Sequence, residues 1–283
     1  MTPMRGAFDW LAVGDLAEER GADHQLVLGG AAARLTAHAA GLKAHTTLVA
    51  KVGDDEAGRR LRDALARLKV DLHWLRETPD LRTTVWHDPD GEPQHRRVER
   101  GADLALRLDE LPSRDVRAAI TVVSGYSLSV EPARSAVLGA LTAAGARGGR
   151  SALLLEADLL WWTNARMTRR VLEPALAAAE SVALRAADAR VLFGSVAGRQ
   201  VLRSLANLGP RIIYLTEADG SVLLREGNRV HAVPAVTGDG PPRDRFAGPA
   251  AFWVGLAHRV APQKAAADSL RYASGIRRPG VRL

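Results

Sequence analysis

The sequence predicts an α/β fold in which helices cover both faces of a mostly parallel central sheet. Two observations lead to this prediction. Short apolar runs alternate along the chain with longer stretches in which apolar residues recur at helical spacing. Hydrophobic residues make up 47% of the chain and charged residues 25%, as in proteins with a well-formed core. A length of 283 residues suits one large domain or two small ones, and we predict a single domain over residues 1–283.

The predicted elements follow this alternation from the first strand onward. Strand-like apolar runs occupy residues 8–13, 47–52, 120–124, 152–156, 182–184, 211–216 and 221–224. Helical patterns occupy residues 29–44, 54–68, 132–144, 168–179, 244–260 and 262–274. Asp54 or Asp55 is the predicted N-cap of the second helix. Capping explains these paired carboxylates better than a metal site does, because acids at a helix start favour the helix dipole.

Two polar stretches, residues 15–28 and 83–100, interrupt the rhythm and predict a small β lid. In open α/β sheets the ligand lies beyond the carboxyl ends of the strands, where such a lid excludes water. The second stretch contains Asp90-Gly91-Glu92, which is typical of a hairpin turn, and leads into Arg100-Gly101-Ala102. Arg100 either reaches a ligand or lies in solvent.

Composition excludes several classes of function. The chain has no cysteine, which excludes disulfides, thiolate metal sites and cysteine nucleophiles and agrees with a reducing cytoplasm. It contains no apolar run long enough to span a membrane, and residues 1–6 do not resemble a signal peptide. We therefore expect a cytoplasmic protein.

The net charge of +7 allows two interpretations. A basic protein can bind nucleic acid. However, the arginines are spread along the chain and only four lysines are present, so arginine-rich ordinary surfaces explain the charge better. We do not expect nucleic acid as a partner, although a basic surface would also attract phosphorylated ligands.

Two segments combine glycines or acids with a following helix. Gly29-Gly30-Ala31 precedes a small-residue helix, and such glycines let a backbone approach a ligand closely. The segment is neither a Walker motif nor a dinucleotide fingerprint, so a tight turn before a close-packed helix is the better explanation of this segment alone. The stretch 239–248 places Asp244 at the start of a long helix, where it could accept a proton from an attacking hydroxyl or merely cap the helix.

Taken in order, these segments resemble the pfkB family of carbohydrate kinases, which have the ribokinase-like fold. The likeness covers nearly the whole chain. It rests on Val13-Gly14-Asp15, Gly29-Gly30-Ala31, Gly41, Val52-Gly53-Asp54-Asp55, Gly58, Asp90-Gly91-Glu92, Arg100-Gly101-Ala102, Ser124-Gly125-Tyr126-Ser127-Leu128, Thr216-Glu217-Ala218-Asp219-Gly220 and Asp244-Arg245-Phe246-Ala247-Gly248. The last segment matches the end of the family's second signature. The resemblance implies a three-layer α/β/α sandwich with a small β lid.

The resemblance also implies an activity, transfer of the γ-phosphoryl group of ATP to a hydroxyl of a sugar or nucleoside. Asp244 would be the catalytic base, and Arg243 would supply positive charge beside it. Substrate contacts would come from Glu19, Gly29, Gly30 and Arg34. The family's acidic sugar-binding residue falls on Glu19 or, less well, on Asp15. The nucleotide would contact Arg185, Asp188, Thr216, Ala218 and Gly220, with Asp188 as a ligand of Mg²⁺.

Several positions depart from the family pattern. The family's Gly-Ala-Gly before the base stands here as Pro241-Pro242-Arg243, and proline offers no backbone N–H to a phosphoryl group. An alternative alignment pairs residues 237–240 with the glycine loop. The family's asparagine in the first signature is Arg34, and its Asn-x-x-Glu motif falls on Arg185 to Asp188. Arginine cannot orient metal-bound water, but it can bind phosphate directly.

These departures leave a second function open, a catalytically impaired pseudokinase that binds ligands or assembles with other proteins. The expected partner of an active enzyme is a small sugar or nucleoside, whose identity the sequence does not give. Relatives often dimerise through the lid, which makes a homodimer one option. The polar stretch 93–100 offers no clear apolar interface for it.

Overall fold

The computed structural model describes residues 7–21, 26–87, 96–113, 115–157, 162, 164–194, 197–238 and 243–275. Its strands, in chain order, are β1 (Ala7–Val13), β2 (Ala17–Arg20), β3 (Leu26–Gly29), β4 (Thr46–Gly53), β5 (Leu75–Thr78), β6 (Thr84–His87), β7 (Arg97–Glu99), β8 (Arg117–Ser124), β9 (Arg150–Leu154), β10 (Ser181–Arg185), β11 (Ile212–Thr216), β12 (Val222–Glu226) and β13 (Arg229–Val233).

The helices, in chain order, are α1 (Ala31–Gly41), α2 (Glu56–Arg67), α3 (Ala133–Ala146), α4 (Ala165–Ala178), α5 (Ala186–Phe193), α6 (Gly198–Ala206), α7 (Ala247–Ala257) and α8 (Pro262–Ala273). Within the described residues, no helix combines the length and the apolar character that crossing a membrane requires.

A nine-stranded sheet in the described part of the chain has the order β13-β12-β11-β10-β9-β8-β1-β4-β5. The neighbours from β11 to β5 are parallel, and β12 and β13 add an antiparallel hairpin at one edge. The predicted mostly parallel sheet is confirmed. Because parallel strands all end at one edge, residues that follow β1, β9, β10 and β11 meet there.

The central strand β1 shows why both faces of the sheet are covered. Successive side chains of a strand point to opposite faces. Trp10 and Ala12 accordingly belong to one apolar cluster, while Leu11 and Val13 belong to the other. Helices α1, α2, α7 and α8 pack on the first face, and α3, α4, α5 and α6 on the second. The three-layer α/β/α arrangement is therefore confirmed.

A separate four-stranded sheet of order β3-β2-β6-β7 forms the lid. Its strands fall within the two polar stretches that predicted it, except that β3 extends to Gly29. Neighbouring threonines tie the lid to the body. Asp55 accepts hydrogen bonds from the backbone N–H of Thr83 at 2.8 Å and from its hydroxyl at 2.7 Å. The hydroxyl of Thr84 donates to the buried carboxylate of Asp103. The hairpin turn predicted at Asp90-Gly91-Glu92 lies outside the described residues.

Several element boundaries differ from the sequence-based prediction. Helix α1 begins at Ala31, because the residues before it pair with β2 as strand β3. Of the two candidate N-caps of α2, Asp55 takes the role and accepts the backbone N–H of Gly58 at 2.8 Å. Helix α7 begins at Ala247, three residues after Asp244. The prediction missed β5, α5, α6 and β13, which are short or rich in polar residues.

Candidate active site

A cavity of about 340 Å³ opens at the carboxyl edge of the sheet, beneath the lid. The lid contributes residues from β2 and β6 to its wall, so the cavity lies where the sequence predicted a ligand site. Its aromatic lining residues are Trp86, Tyr126 and Phe246. Its charged lining residues are Asp15, Glu19, Arg34, Arg96, Glu156, Arg185, Asp244 and Arg245.

Asp15, just beyond β1, builds the floor of this cavity. Its buried carboxylate accepts hydrogen bonds from the backbone N–H groups of Ala31 and Ala32 and from the hydroxyl of Ser124. These bonds hold the amino end of α1 against the sheet. Gly30 has a φ of 87°, and a Cβ there would lie 2.7 Å from the Asp15 carbonyl oxygen. The glycine is required by this close approach, and Gly30 lines the cavity, whereas Gly29 belongs to strand β3.

Arg34 joins two acids that are far apart in the sequence. Its Nη1 donates to Glu19 Oε2 at 2.6 Å. Its Nε and Nη2 both donate to Asp244 Oδ2, at 3.0 and 2.8 Å. The side chains of Arg34, Glu19 and Asp244 are 21%, 29% and 28% exposed. The predicted substrate-side residues Glu19 and Arg34 thus lie together with the predicted base.

Asp244 is held from a second side by His38. The Nε2 of His38 lies 2.7 Å from Asp244 Oδ1, and the backbone N–H of Phe246 donates to the same oxygen at 2.9 Å. Burial alone would raise the pKa of Asp244, but the His38 hydrogen bond and the charges of His38 and Arg34 outweigh it and hold the pKa well below its ordinary value. Asp244 therefore lines the cavity as an ionised carboxylate.

His38 was not among the predicted site residues. Its other ring nitrogen, Nδ1, lies 3.2 Å from the hydroxyl of Tyr272 in α8. Its spacing from Arg34 could have identified it. His38 lies four positions after Arg34, and residues four apart share one face of a helix.

Arg243 and Arg245 flank Asp244 but point to different places. The backbone N–H of Arg243 donates to the Ala273 carbonyl at 2.8 Å, and its guanidinium lies 4.3 Å from the centre of the Tyr272 ring. Arg243 does not line the cavity. Arg245 does, and its Nη2 donates to Glu156 Oε1 at 3.0 Å. The preceding segment, residues 239–242 with Pro241 and Pro242, lies outside the described residues.

Glu156, which follows β9, was another residue that the prediction missed. Its side chain is 6% exposed, and its Oε2 has no hydrogen-bond partner. Burial raises the pKa of Glu156 to about 7, with the Arg245 charge opposing the rise and the nearby Asp15 and Asp188 charges adding to it. Its position at the carboxyl end of a predicted strand was the signal that could have identified it as a site residue.

Arg185 and Asp188 form a compact unit at the start of α5. Asp188 Oδ2 accepts the backbone N–H and the Nε of Arg185, at 3.2 and 2.8 Å. Asp188 Oδ1 accepts Arg185 Nη2 at 3.1 Å and the backbone N–H of Ala157 at 3.2 Å. An ionised carboxylate has about four acceptor sites, and all of them are used here. Asp188 does not fit the role of a direct Mg²⁺ ligand.

The other predicted nucleotide contacts divide into two groups. Thr216, at the end of β11, lines a small second cavity together with Asp188. This cavity shares Glu156, Arg185, Arg245 and Phe246 with the larger one. Ala218 and Gly220 lie in an exposed turn before β12, where Gly220 has a φ of 80°. They line neither cavity. The described residues contain no cluster of three or more acids and histidines suited to a metal ion.

Comparison with known proteins identifies the family to which the chain belongs. The family model described as pfkB family carbohydrate kinase matches residues 12–274. A fructokinase of Klebsiella pneumoniae is 31% identical over 216 residues, which cover 73% of this chain and 69% of that protein.

Solved structures agree on the fold. Aminoimidazole riboside kinase from Salmonella enterica, complexed with aminoimidazole riboside and an ATP analogue, has a TM-score of 0.82 at 19% identity and covers 94% of this chain and 92% of its own. Fructokinase from Vibrio cholerae O395, bound to fructose, ADP and a calcium ion, has a TM-score of 0.80 at 21% identity, covering 94% and 91%. The fold is ribokinase-like, and the chain belongs to the pfkB family of carbohydrate kinases, which are phosphotransferases.

Proposed function

We propose that this protein transfers the γ-phosphoryl group of ATP to a hydroxyl of a sugar or nucleoside, with Asp244 as the base. The observation that carries the proposal is the position of Asp244. It is an ionised carboxylate that lines the cavity three residues before the amino end of α7. A base must lie within reach of the hydroxyl that it deprotonates, and this cavity is where an acceptor would bind. Arg34, His38 and the backbone N–H of Phe246 use the four acceptor sites of this carboxylate, so one of these donors would give way to the acceptor hydroxyl.

The proposed reaction transfers one phosphoryl group from ATP to the oxygen of the acceptor hydroxyl. The acceptor O–H bond breaks and its proton passes to a carboxylate oxygen of Asp244. The acceptor oxygen forms a bond to the γ-phosphorus, and the bond from that phosphorus to the β–γ bridging oxygen breaks, so that ADP leaves. Positioning and electrostatic stabilisation dominate such reactions. Asp188 does not fit the role of a metal ligand, because all of its acceptor sites are used.

The acceptor would lie between the lid and the amino end of α1. The rings of Trp86 and Tyr126, 5.4 Å apart between centroids, line this part of the cavity. Aromatic faces suit the apolar face of a sugar or a heterocycle. The lid strands would exclude water from the transferring phosphoryl group. The nucleotide would enter from the side of Arg185 and Thr216, where the second cavity adjoins the first.

The experiment that tests this proposal measures ADP release from ATP across a panel that includes fructose, ribose and riboside nucleosides. We expect turnover with at least one acceptor, and we expect Asp244→Asn to lower kcat by about 10²–10⁴-fold. The matched control is Asp54→Asn, since Asp54 is 62% exposed and lies outside the cavity. Retained ligand-induced thermal stabilisation would show that Asp244→Asn still folds and binds.

Equal background release by the wild-type protein and the Asp244→Asn variant, with every acceptor, would refute the proposal. That result would favour the pseudokinase that the sequence left open. The comparisons give the pseudokinase no support, because the relatives that they name are kinases.

A further inference from the structure

We propose that two guanidinium groups, those of Arg185 and Arg245, hold the nucleotide phosphates of this kinase, and that nucleotide binding therefore needs no metal ligated by the protein. The inference rests on the proposed function and concerns the same cavity. It follows from the disagreement between the Mg²⁺ site that the family implies and the contacts that the described residues make.

The first observation is the saturation of Asp188. Mg²⁺ requires oxygen ligands at about 2.0–2.1 Å in near-octahedral geometry. Both oxygens of Asp188 already accept two N–H donors each, three of the four donors coming from Arg185. A cation could bind this carboxylate only after the guanidinium had left, because the two positive charges would otherwise compete for the same oxygens.

The second observation is that Arg185 and Arg245 line the same cavity as Asp244. Each guanidinium is anchored at its inner edge on a buried carboxylate. Arg185 Nε lies 2.8 Å from Asp188, and Arg245 Nη2 lies 3.0 Å from Glu156. The two arginine side chains remain 38% and 34% exposed, whereas the two acids are only 4% and 6% exposed. In each pair the arginine is therefore the more exposed partner, and its positive charge is accessible from the cavity.

This geometry is suited to phosphate. A guanidinium is planar and binds phosphate oxygens through two parallel N–H donors. Anchoring at one edge fixes the plane of the group before the ligand arrives, which reduces the entropy lost on binding. The Arg245 guanidinium also lies 4.8 Å from the centre of the Phe246 ring, which orients it further. Arg245 directly follows Asp244 in the chain, so its charge lies beside the proposed base.

The protonation of Glu156 adds to this argument. Because burial raises its pKa to about 7, the carboxyl is protonated for part of the time at neutral pH. An approaching phosphate would favour that protonated form, since it repels the negative charge. Arg245 then faces the phosphate with its positive charge uncompensated.

The test is the affinity for ADP and for ATP, measured by calorimetry in excess EDTA and again in millimolar Mg²⁺. We expect the dissociation constant of the wild-type protein to differ by less than about three-fold between the two conditions. We expect Arg185→Asn to weaken binding in EDTA by about ten-fold or more, the loss of a charged hydrogen-bond donor. Because this change removes two of the four donors to Asp188, Mg²⁺ should restore part of the affinity of the variant.

Two further variants keep the test decisive. Arg245→Gln should weaken binding to a similar degree with little rescue by Mg²⁺, because the carboxyl group that it uncovers, Glu156, has a pKa that burial raises to about 7 and is a poorer metal ligand than an ionised aspartate. Arg203→Asn, an exposed position in α6, is the matched control and should bind as the wild type does. Thermal denaturation of each variant verifies that it is folded.

Wild-type binding that weakens ten-fold or more in EDTA would overturn the inference, as would Arg185→Asn binding that is unchanged in EDTA. Failure of the proposed function has a different signature. Turnover insensitive to Asp244→Asn with metal-free nucleotide binding intact would refute the kinase chemistry and leave the phosphate-binding arginines standing. Absence of nucleotide binding in both conditions would overturn both proposals.

Discussion

Removal of Arg34 provides the sharpest test of how the candidate base is held. The Arg34→Asn substitution deletes two hydrogen bonds to Asp244 and one to Glu19. Two unit charges about 4 Å apart attract by about 4 kcal/mol at an effective dielectric constant near 20. The three side chains are 21–29% exposed, so solvent screens part of this attraction. We expect the Arg34–Asp244 pair to contribute about 1–3 kcal/mol of coupling energy.

The assay is a double-mutant cycle in urea at pH 7, with Arg34→Asn, Asp244→Asn and the double variant. Since the pKa of Asp244 is depressed, its contribution to stability is present above the ordinary carboxyl pKa of about 3.9 and is lost as the pH falls through the folded-state value. The coupling energy should therefore be the same at pH 7 and pH 5 and should decline only at pH values below about 4.

The control cycle pairs Arg59 with Asp54, which are 63% and 62% exposed and 3.5 Å apart. We expect their coupling to be close to zero. A coupling for Arg34 and Asp244 that is no larger than this control would refute the argument that Arg34, together with His38, holds the base ionised. A coupling that disappears between pH 7 and pH 5 would contradict the depressed pKa.

Two further predictions concern the attachment of the lid. Burial raises the pKa of Asp103 to about 7, so its stability contribution is present below about pH 4 and is lost as the pH rises through 7. In urea titrations, the free energy of unfolding of Asp103→Asn should rise relative to that of the wild type by up to about 4 kcal/mol between pH 4 and pH 8. A difference that does not depend on pH would contradict this. Gly101→Ala should destabilise the protein by about 1–3 kcal/mol, because its Cβ would lie 2.1 Å from the Arg82 carbonyl oxygen. Gly145→Ala, where nothing lies within 4 Å, is the control for thermal denaturation and should be neutral or slightly stabilising.

The layered fold could be predicted because its signals are local. The buried strand β1 alternates between the two apolar clusters with a period of two, and α2 combines an apolar face with an acidic cap. Each pattern is visible within about fifteen residues. The lid was predictable for the same reason, since two polar stretches break an otherwise regular alternation.

The candidate site was predictable in its residue types but not in its contacts. Asp244, Arg34 and Glu19 were all identified from the sequence, and the structure brings them into one cavity. Their mutual ion pairs could not have been foreseen, because Arg34 and Asp244 are 210 positions apart. The sequence also did not indicate which of the two arginines that flank Asp244 faces the cavity. Arg243 was predicted to be catalytic, yet it lies against Tyr272, while Arg245 faces the cavity.

The sequence by itself determined the alternation of strands and helices, apart from four short elements, the mostly parallel sheet and the sheet edge at which we expect a ligand. These features depend on apolar periodicity and on turn residues, whose energetics act over short stretches of chain. Only the tertiary structure decided which charges neutralise one another: Arg34 with Asp244, Arg185 with Asp188, and Arg245 with Glu156. The physical reason is that an ion pair depends on distance and burial in space, and neither is encoded in the spacing of residues along the chain.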